Sequence, residues 1–177
     1  MGADVAVVLA RGGCRVSVVD PDSQKRAGLR DHTLAGLEPL GLARRADRIT
    51  VVSFLSEVAW ADVALVIECI PEKLAIKQTL FAELLTLAPA DTVLTSNSSS
   101  FPISAIAEGL TTQSRMLGLH FFMPAHLVPL VEVVLGPNSD IAQAERLCSY
   151  MRGCGNVPVL VRKDKPGFLA NRLQHAL

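Results

Sequence analysis

The sequence predicts an α/β protein whose sheet is doubly wound and mostly parallel. Short runs rich in Val, Ile and Leu alternate with longer segments of helical spacing, a pattern typical of parallel strands joined by helices. The apolar runs contain few alternating polar residues, as expected for strands buried on both faces. We therefore expect one such domain in this chain of 177 residues, which is long enough to bury a sizeable core.

The predicted elements follow in a regular order along the chain. It begins with a helix over 3–11. Strands are expected at 15–20, 49–53, 63–69, 92–96, 116–119 and 157–161. Helices are expected at 21–46, 72–87, 102–108 and 141–152, and another begins after Pro166-Gly167. The two longest have Asp or Pro near their starts, as helices often do.

Composition excludes several classes of protein. Lys plus Arg and Asp plus Glu both number 17, so charge gives no reason to expect nucleic acid or a membrane surface as partner. No run approaches the roughly 18 apolar residues of a membrane helix. The cysteines (Cys14, Cys69, Cys148 and Cys154) form no CxxC pair and have no metal-ligand spacing with histidine. We therefore expect no metal site and a reducing, cytoplasmic location without a signal peptide.

The stretch from Arg115 to Val134 carries the strongest chemical signal. His120 ends one apolar run, and Glu132 lies inside the next. A carboxylate in an apolar run is costly unless it is paired, and His120 is the obvious partner. A histidine held by a carboxylate has a fixed tautomer and can act as a general base. The alternative is a structural core histidine beside a glutamate that reaches solvent, and spacing alone does not choose between them.

Polar residues also follow the predicted strands, at the sheet edge where ligands bind in such folds. Asp20 could bind the ribose hydroxyls of an adenosine, or it could favour the start of the following helix. Glu72 and Lys77 follow strand 63–69, and the alternative for them is a solvated helix face. The segment 96–100 (SNSSS) could cap the helix at 102–108 or present a hydroxyl to a substrate.

These segments together resemble the NAD-binding domain of the L-3-hydroxyacyl-CoA dehydrogenase family, and the resemblance runs essentially from end to end. The segments that carry it are Met1-Gly2, Val19-Asp20, IPEKLAIK (70–77), SNSSS (96–100), GLHFF (118–122), LVEV (130–133) and KDKPGFLANRL (163–173). Each is weak alone, but their order and spacing are specific. The resemblance implies a Rossmann-type domain over residues 1–165 and the start of an all-α second domain at 166–177. Relatives within the family that this resemblance implies include carnitine and gulonate dehydrogenases and lambda-crystallin.

The resemblance also implies a reaction, the NAD-dependent oxidation of a 3-hydroxyacyl-CoA to the 3-oxo product. His120 matches the family's catalytic histidine, which takes the proton of the 3-hydroxyl while C3 delivers hydride to the nicotinamide. Glu132 matches the carboxylate that orients this histidine. Ser99 matches the serine that contacts the reacting oxygen, and Asn171 matches the asparagine that helps to hold the substrate.

The cofactor residues are carried over in the same way. Gly2 matches the end of the glycine-rich fingerprint, and Asp20 matches the acidic residue on the adenosine ribose, which favours NAD over NADP. Glu72 and Lys77 match cofactor contacts, and Asn97 is expected near the nicotinamide. The expected partner is a small-molecule substrate, with a homodimer when the second domain is present.

Departures from the family pattern keep alternatives open. Met123 replaces the asparagine of His-Phe-Phe-Asn-Pro, which leaves other small 3-hydroxy acids (carnitine or gulonate-like) as substrates. We interpret His126 as loop structure. Because the chain begins at the end of the fingerprint and stops at Leu177, we expect an incomplete dehydrogenase without its first strand that binds NAD weakly or not at all on its own.

Two further alternatives are a non-catalytic relative and a different Rossmann enzyme. The chain could be a non-catalytic, truncated or structural relative, as crystallins are. It could also be a Rossmann dehydrogenase of the 6-phosphogluconate or 3-hydroxyisobutyrate type. Those families rely on a lysine base, and the predicted pair of His120 and Glu132 argues against them.

Overall fold

The computed structural model describes residues 1–176, with side chains through residue 174. Strands and helices alternate along the chain, which confirms the predicted α/β, Rossmann-like class with a mostly parallel sheet. The residues divide into two compact units. The first comprises Met1–Ala59, Phe122–Pro129 and Arg152–Asn156. The second comprises Trp60–Phe121, Leu130–Met151 and the residues from Val157 onward.

The first unit packs two helices beside a two-stranded parallel sheet. Its elements are α1 (Gly2–Arg11), β1 (Val16–Val19), α2 (Ser23–Leu37) and β2 (Ile49–Val52). The two helices approach closely, because a Cβ atom on Gly36 would lie 2.7 Å from Cγ1 of Val7. The buried cluster between them consists of Val7, Ala10, Leu37 and Ala46. The apolar side of α1 therefore forms the centre of this unit.

Helix α2 is shorter than predicted. It ends at Leu37 and is followed by the 3-10 helices Glu38–Leu40 and Ala43–Arg48, whereas we expected a continuous helix to residue 46. Pro39 lacks the N–H group that a helix interior needs. Gly41 then adopts a left-handed conformation with φ 69°, which ends the turn.

The second unit is a five-stranded sheet in the order β3-β4-β5-β6-β7. All its neighbouring strands are parallel except β5 and β6, which are antiparallel. The strands are β3 (Leu65–Glu68), β4 (Val93–Ser96), β5 (Met116–Phe121), β6 (Leu130–Leu135) and β7 (Val157–Val161). The helices are α3 (Leu74–Leu87), α4 (Ile103–Ile106), α5 (Ile141–Gly153) and α6 (Ala170–Ala176). Every residue of β5 is buried, so this strand forms the middle of the core.

The strands form two sheets rather than the single sheet predicted. Within the described residues, β1 pairs with β2 alone and β3 pairs with β4 alone, so each has one unpaired edge. Among the helices of residues 1–176, none has the length and apolar character that a membrane crossing needs.

Candidate active site

His120 and Glu132 lie opposite each other on the antiparallel strands β5 and β6. Cross-strand neighbours have Cβ atoms about 4.5–5.5 Å apart, so their side chains can meet. Nδ1 of His120 lies 2.8 Å from Oε2 of Glu132, and the two side chains are 6% and 1% exposed. The contact expected from the sequence is therefore present. The alternative of a glutamate that reaches solvent is wrong.

The second oxygen of Glu132 holds the start of α6. Oε1 accepts hydrogen bonds from the backbone N–H groups of Leu169 (3.0 Å) and Ala170 (2.9 Å). Burial alone would raise the pKa of Glu132, but the hydrogen bonds from His120 and from these two amides outweigh it and keep the pKa below its usual value. Glu132 is therefore ionised near neutral pH, and Nδ1 of His120 carries the proton that it donates.

Phe168 covers the imidazole ring of His120. The ring centroids are 5.6 Å apart, and Phe168 is buried. Gly167 and Phe168 both have positive φ angles, 75° and 47°. For a residue other than glycine this conformation costs about 1–2 kcal/mol, and here it turns the chain so that the next two amides reach Glu132. Sequence reasoning included this segment in the resemblance but gave Phe168 no role.

Glu72 organises the serine segment that carries Ser99. Oε1 of Glu72 accepts hydrogen bonds from the Ser98 hydroxyl and from the backbone N–H groups of Ser99 (3.2 Å) and Ser100 (3.0 Å). Burial alone would raise the pKa of Glu72, but these hydrogen bonds and Lys77 outweigh it and lower the pKa. The side-chain amide of Asn171 donates a hydrogen bond to the backbone carbonyl of Ser99 at 3.3 Å, so the two residues predicted to bind the substrate are in contact.

Lys77 lies inside the protein rather than on a solvated helix face. Its ammonium group donates to both carboxylate oxygens of Glu68, at 2.8 and 2.9 Å, and lies 3.1 Å from Oε2 of Glu72. The solvated-face alternative was wrong because α3 begins at Leu74, so helical spacing does not govern the distance between Glu72 and Lys77. That Lys77 contacts the cofactor stays a prediction.

Glu68 is a buried residue of this cluster to which the sequence interpretation gave no role. It is buried at the end of β3 and accepts hydrogen bonds from Lys77, the Ser96 hydroxyl (2.6 Å) and the Ile70 amide (2.7 Å). The signal was present, because Glu68 is a carboxylate within the apolar run 63–69, as Glu132 is in its own run. The same argument applied twice would have found both.

Asn97 and Asp164 fix the neighbouring backbone. Oδ1 of Asn97 accepts a hydrogen bond from the Phe121 amide at 2.8 Å, directly after His120. Asp164 caps α4 by accepting from the amides of Ile103 (2.7 Å) and Ser104 (2.8 Å). The possibility that segment 96–100 caps this helix is therefore wrong, since a carboxylate distant in sequence fills the position.

The first unit contains the other predicted cofactor residues. Asp20 follows β1, and the helix-capping role belongs to Asp22, which accepts from the amides of Gln24 and Lys25. Gly2 begins α1, whose amino end has no side-chain cap. Uncapped N–H groups suit a pyrophosphate, and a carboxylate after a strand suits ribose hydroxyls, so these residues fit NAD.

Met123 and His126 both lie in segment 122–129 of the first unit. The side chain of Met123 is largely exposed to solvent. Nδ1 of His126 lies 3.1 Å from Oδ1 of Asp4, so this histidine makes a contact with α1 that the interpretation as loop structure did not anticipate.

Comparison with known proteins gives consistent matches. Residues 1–165 match the family model described as 3-hydroxyacyl-CoA dehydrogenase, NAD binding domain. L-carnitine dehydrogenase of Streptomyces griseus is 39% identical over 181 residues, which cover 99% of this chain and 53% of that protein. A 5-formyl-3-hydroxy-2-methylpyridine 4-carboxylate 5-dehydrogenase of Mesorhizobium japonicum is 32% identical over 182 residues, covering 100% of this chain and 59% of that one.

A solved structure agrees with these sequences. The crystal structure of 3-hydroxybutyryl-CoA dehydrogenase from Escherichia coli K12 matches with a TM-score of 0.89 at 35% identity, covering 98% of this chain and 38% of that chain. The chain thus spans about half the length of the relatives it matches, and the prediction of NAD as cofactor is confirmed by the family. The chain belongs to the 3-hydroxyacyl-CoA dehydrogenase family, whose NAD-binding domain it matches.

Proposed function

We propose that the protein carrying this chain uses NAD to oxidise the 3-hydroxyl group of a 3-hydroxyacyl-CoA. The observation that carries the proposal is the buried pair of His120 and Glu132, at 2.8 Å. A lysine-based dehydrogenase is a poorer fit, because the buried Lys77 is already paired with two carboxylates. The family match supports the same reaction class.

The mechanism follows from the hydrogen bonds around the imidazole. Ionised Glu132 accepts the proton of Nδ1, which makes Nε2 the nitrogen that takes the proton of the 3-hydroxyl. The imidazolium that results is stabilised by the same carboxylate. Ser99 and Asn171, which contact each other, orient the substrate oxygen. When bound, NAD supplies the hydride acceptor.

A second candidate substrate is another small 3-hydroxy acid. The observation that favours it is the exposed Met123. Methionine offers neither the donor nor the acceptor of the asparagine that the family pattern has there. The chain also resembles an L-carnitine dehydrogenase at 39% identity. The reaction at His120 is the same for either substrate.

The test is NAD-coupled oxidation of 3-hydroxybutyryl-CoA and L-carnitine by the protein carrying this chain, as wild type, His120→Gln and Glu145→Gln. Losing a general base should lower kcat by about 10²–10⁴-fold in His120→Gln, with NAD affinity unchanged. Glu145 is exposed on α5, so Glu145→Gln should match the wild type. Equal kcat for wild type and His120→Gln would refute the role of His120. Bound NAD without turnover of either substrate would favour a non-catalytic relative.

We also propose a cytoplasmic location and a homodimer formed through a second domain. None of the four cysteines forms a disulfide within the described residues, which supports a reducing compartment. The relatives are longer than this chain, which leaves room for a second domain. Sedimentation of the full protein at two concentrations would test the dimer, and a monomer at both would contradict it.

A further inference from the structure

Three side chains of the first unit meet at one point, and none of them belongs to the proposed active site. They are Asp4 on α1, His32 on α2 and His126 in segment 122–129. Nε2 of His32 lies 2.8 Å from Oδ1 of Asp4, and Nδ1 of His126 lies 3.1 Å from the same oxygen. One donor atom from each residue lies within 4.8 Å of the other two.

The cluster has the chemistry and spacing of a metal site. Two imidazoles and one carboxylate are the ligand set of many sites for divalent first-row metals. Such ligands lie about 2.0–2.2 Å from a tetrahedral zinc ion, which places neighbouring donor atoms about 3.3–3.6 Å apart. The two contacts to Oδ1 are somewhat shorter than that separation, and the imidazole nitrogens lie within 4.8 Å of each other. A bound ion would therefore lengthen the two contacts to Asp4 and draw the histidines toward a common centre.

The surrounding structure holds the ligands in place. Asp4 and His32 lie on packed helices, and a ligand on a helix is positioned more precisely than one on a loop. The carbonyl of His126 accepts a hydrogen bond from Nη1 of Arg11 at 3.2 Å, which ties its segment to α1. The side chain of Asp4 is 10% exposed, whereas those of His126 and His32 are 20% and 41% exposed. An ion could therefore enter from the histidine side.

We propose that Asp4, His32 and His126 bind one divalent transition-metal ion, with Zn²⁺ as the ion that best suits them. Zinc has no strong geometric preference and accepts three protein ligands with water in the remaining position. The sequence predicted no metal site because His32 and His126 lie 28 and 122 residues after Asp4, far beyond the spacing of any local ligand motif. This proposal is independent of the reaction proposed above.

The test is calorimetric titration of Zn²⁺ into chelator-treated protein with a competing chelator of known affinity. We expect one ion per chain for the wild type, and at least tenfold weaker binding for Asp4→Asn, His32→Gln and His126→Gln. The matched control is Asp31→Asn, which removes an exposed carboxylate beside His32 on α2 and should bind as the wild type does. Circular dichroism checks that each variant folds.

X-ray absorption of the zinc-loaded protein separates this site from the cysteines. The proposal requires nitrogen and oxygen neighbours, and sulfur in the coordination shell would overturn it. Absence of saturable binding, or undiminished binding in folded Asp4→Asn, would also overturn it. If Asp4→Asn does not fold, His32→Gln decides the question, because His32 is the most exposed of the three ligands.

Discussion

Substitution of Lys77 by methionine removes the cation of a buried ion pair and keeps most of the side-chain length. Lys77 is 1% exposed, and the carboxylate of its partner Glu68 is fully buried. A buried pair can be worth little against an apolar replacement of both partners, but removing one partner leaves an uncompensated charge. The variant Lys77→Met should therefore destabilise the second unit strongly.

The magnitude follows from the contacts that remain. An unpaired buried charge costs about 3–5 kcal/mol. Glu68 would keep its hydrogen bonds from the Ser96 hydroxyl and the Ile70 amide, so we expect the lower end, about 3 kcal/mol. For a chain of this size that loss lowers the Tm by about 6–12 °C.

Urea unfolding followed by tryptophan fluorescence would measure the loss. Trp60 is the only tryptophan in the sequence and lies in the second unit, so it reports on the unit that holds the pair. The double variant Glu68→Gln with Lys77→Met should recover at least about 1 kcal/mol relative to Lys77→Met alone, because no fully buried charge is left unpaired. The partly exposed Glu72 also loses Lys77 but keeps its hydrogen bonds from Ser98, Ser99 and Ser100. Lys163→Met, at an exposed lysine, is the control. A loss below about 1 kcal/mol for Lys77→Met would refute the reasoning. So would a double variant whose loss equals the sum of the losses in the single variants Glu68→Gln and Lys77→Met.

Three other predictions concern separate parts of the chain. Because the pKa of Glu132 is lowered, its ionised form stabilises the fold above the unfolded pKa of about 4.3, and that stabilisation is lost as the pH falls through the folded pKa. Urea unfolding from pH 5 to pH 3 should therefore show a steeper loss for the wild type than for Glu132→Gln. Replacing Asp164 by alanine should cost about 1 kcal/mol and speed amide exchange at Ile103 and Ser104, measured by hydrogen–deuterium exchange. Burial raises the pKa of Cys69 to about 12, so iodoacetamide at pH 8 should modify it only after unfolding, and rapid native labelling in a mass spectrum would contradict this.

Six of the seven strands in the described residues could be predicted because short runs rich in Val, Ile and Leu are a local signal, whereas β6 was not among the predicted strands. The run 157–161 was predicted as a strand, and β7 has the same bounds. The end of α2 was harder to predict. Helical spacing continued past residue 37, and the competing preferences of Pro39 and Gly41 decided the boundary.

Contacts between distant residues account for most of what could not be predicted. The pairing of His120 with Glu132 was within reach, because a carboxylate in an apolar run demands a partner nearby. The contact of Asp4 with His126 spans 122 residues and follows only from how α1 packs against segment 122–129. Asp4 lies in the apolar run of α1 and His126 lies between Ala125 and Leu127, so the local sequence indicates burial of each residue but does not identify its partner.

Glu132 connects the proposed general base with the helix that carries a proposed substrate-binding residue. One oxygen orients the imidazole of His120, and the other holds the amides that begin α6, the helix that carries Asn171. A shift of this carboxylate would therefore move the base and the substrate-side asparagine together. Because the side-chain amide of Asn171 also contacts the Ser99 carbonyl, and Ser99 is held by Glu72, three residues (His120, Ser99 and Asn171) depend on two carboxylates. The geometry of the proposed site thus depends on the hydrogen bonds accepted by the buried Glu132 and the partly exposed Glu72.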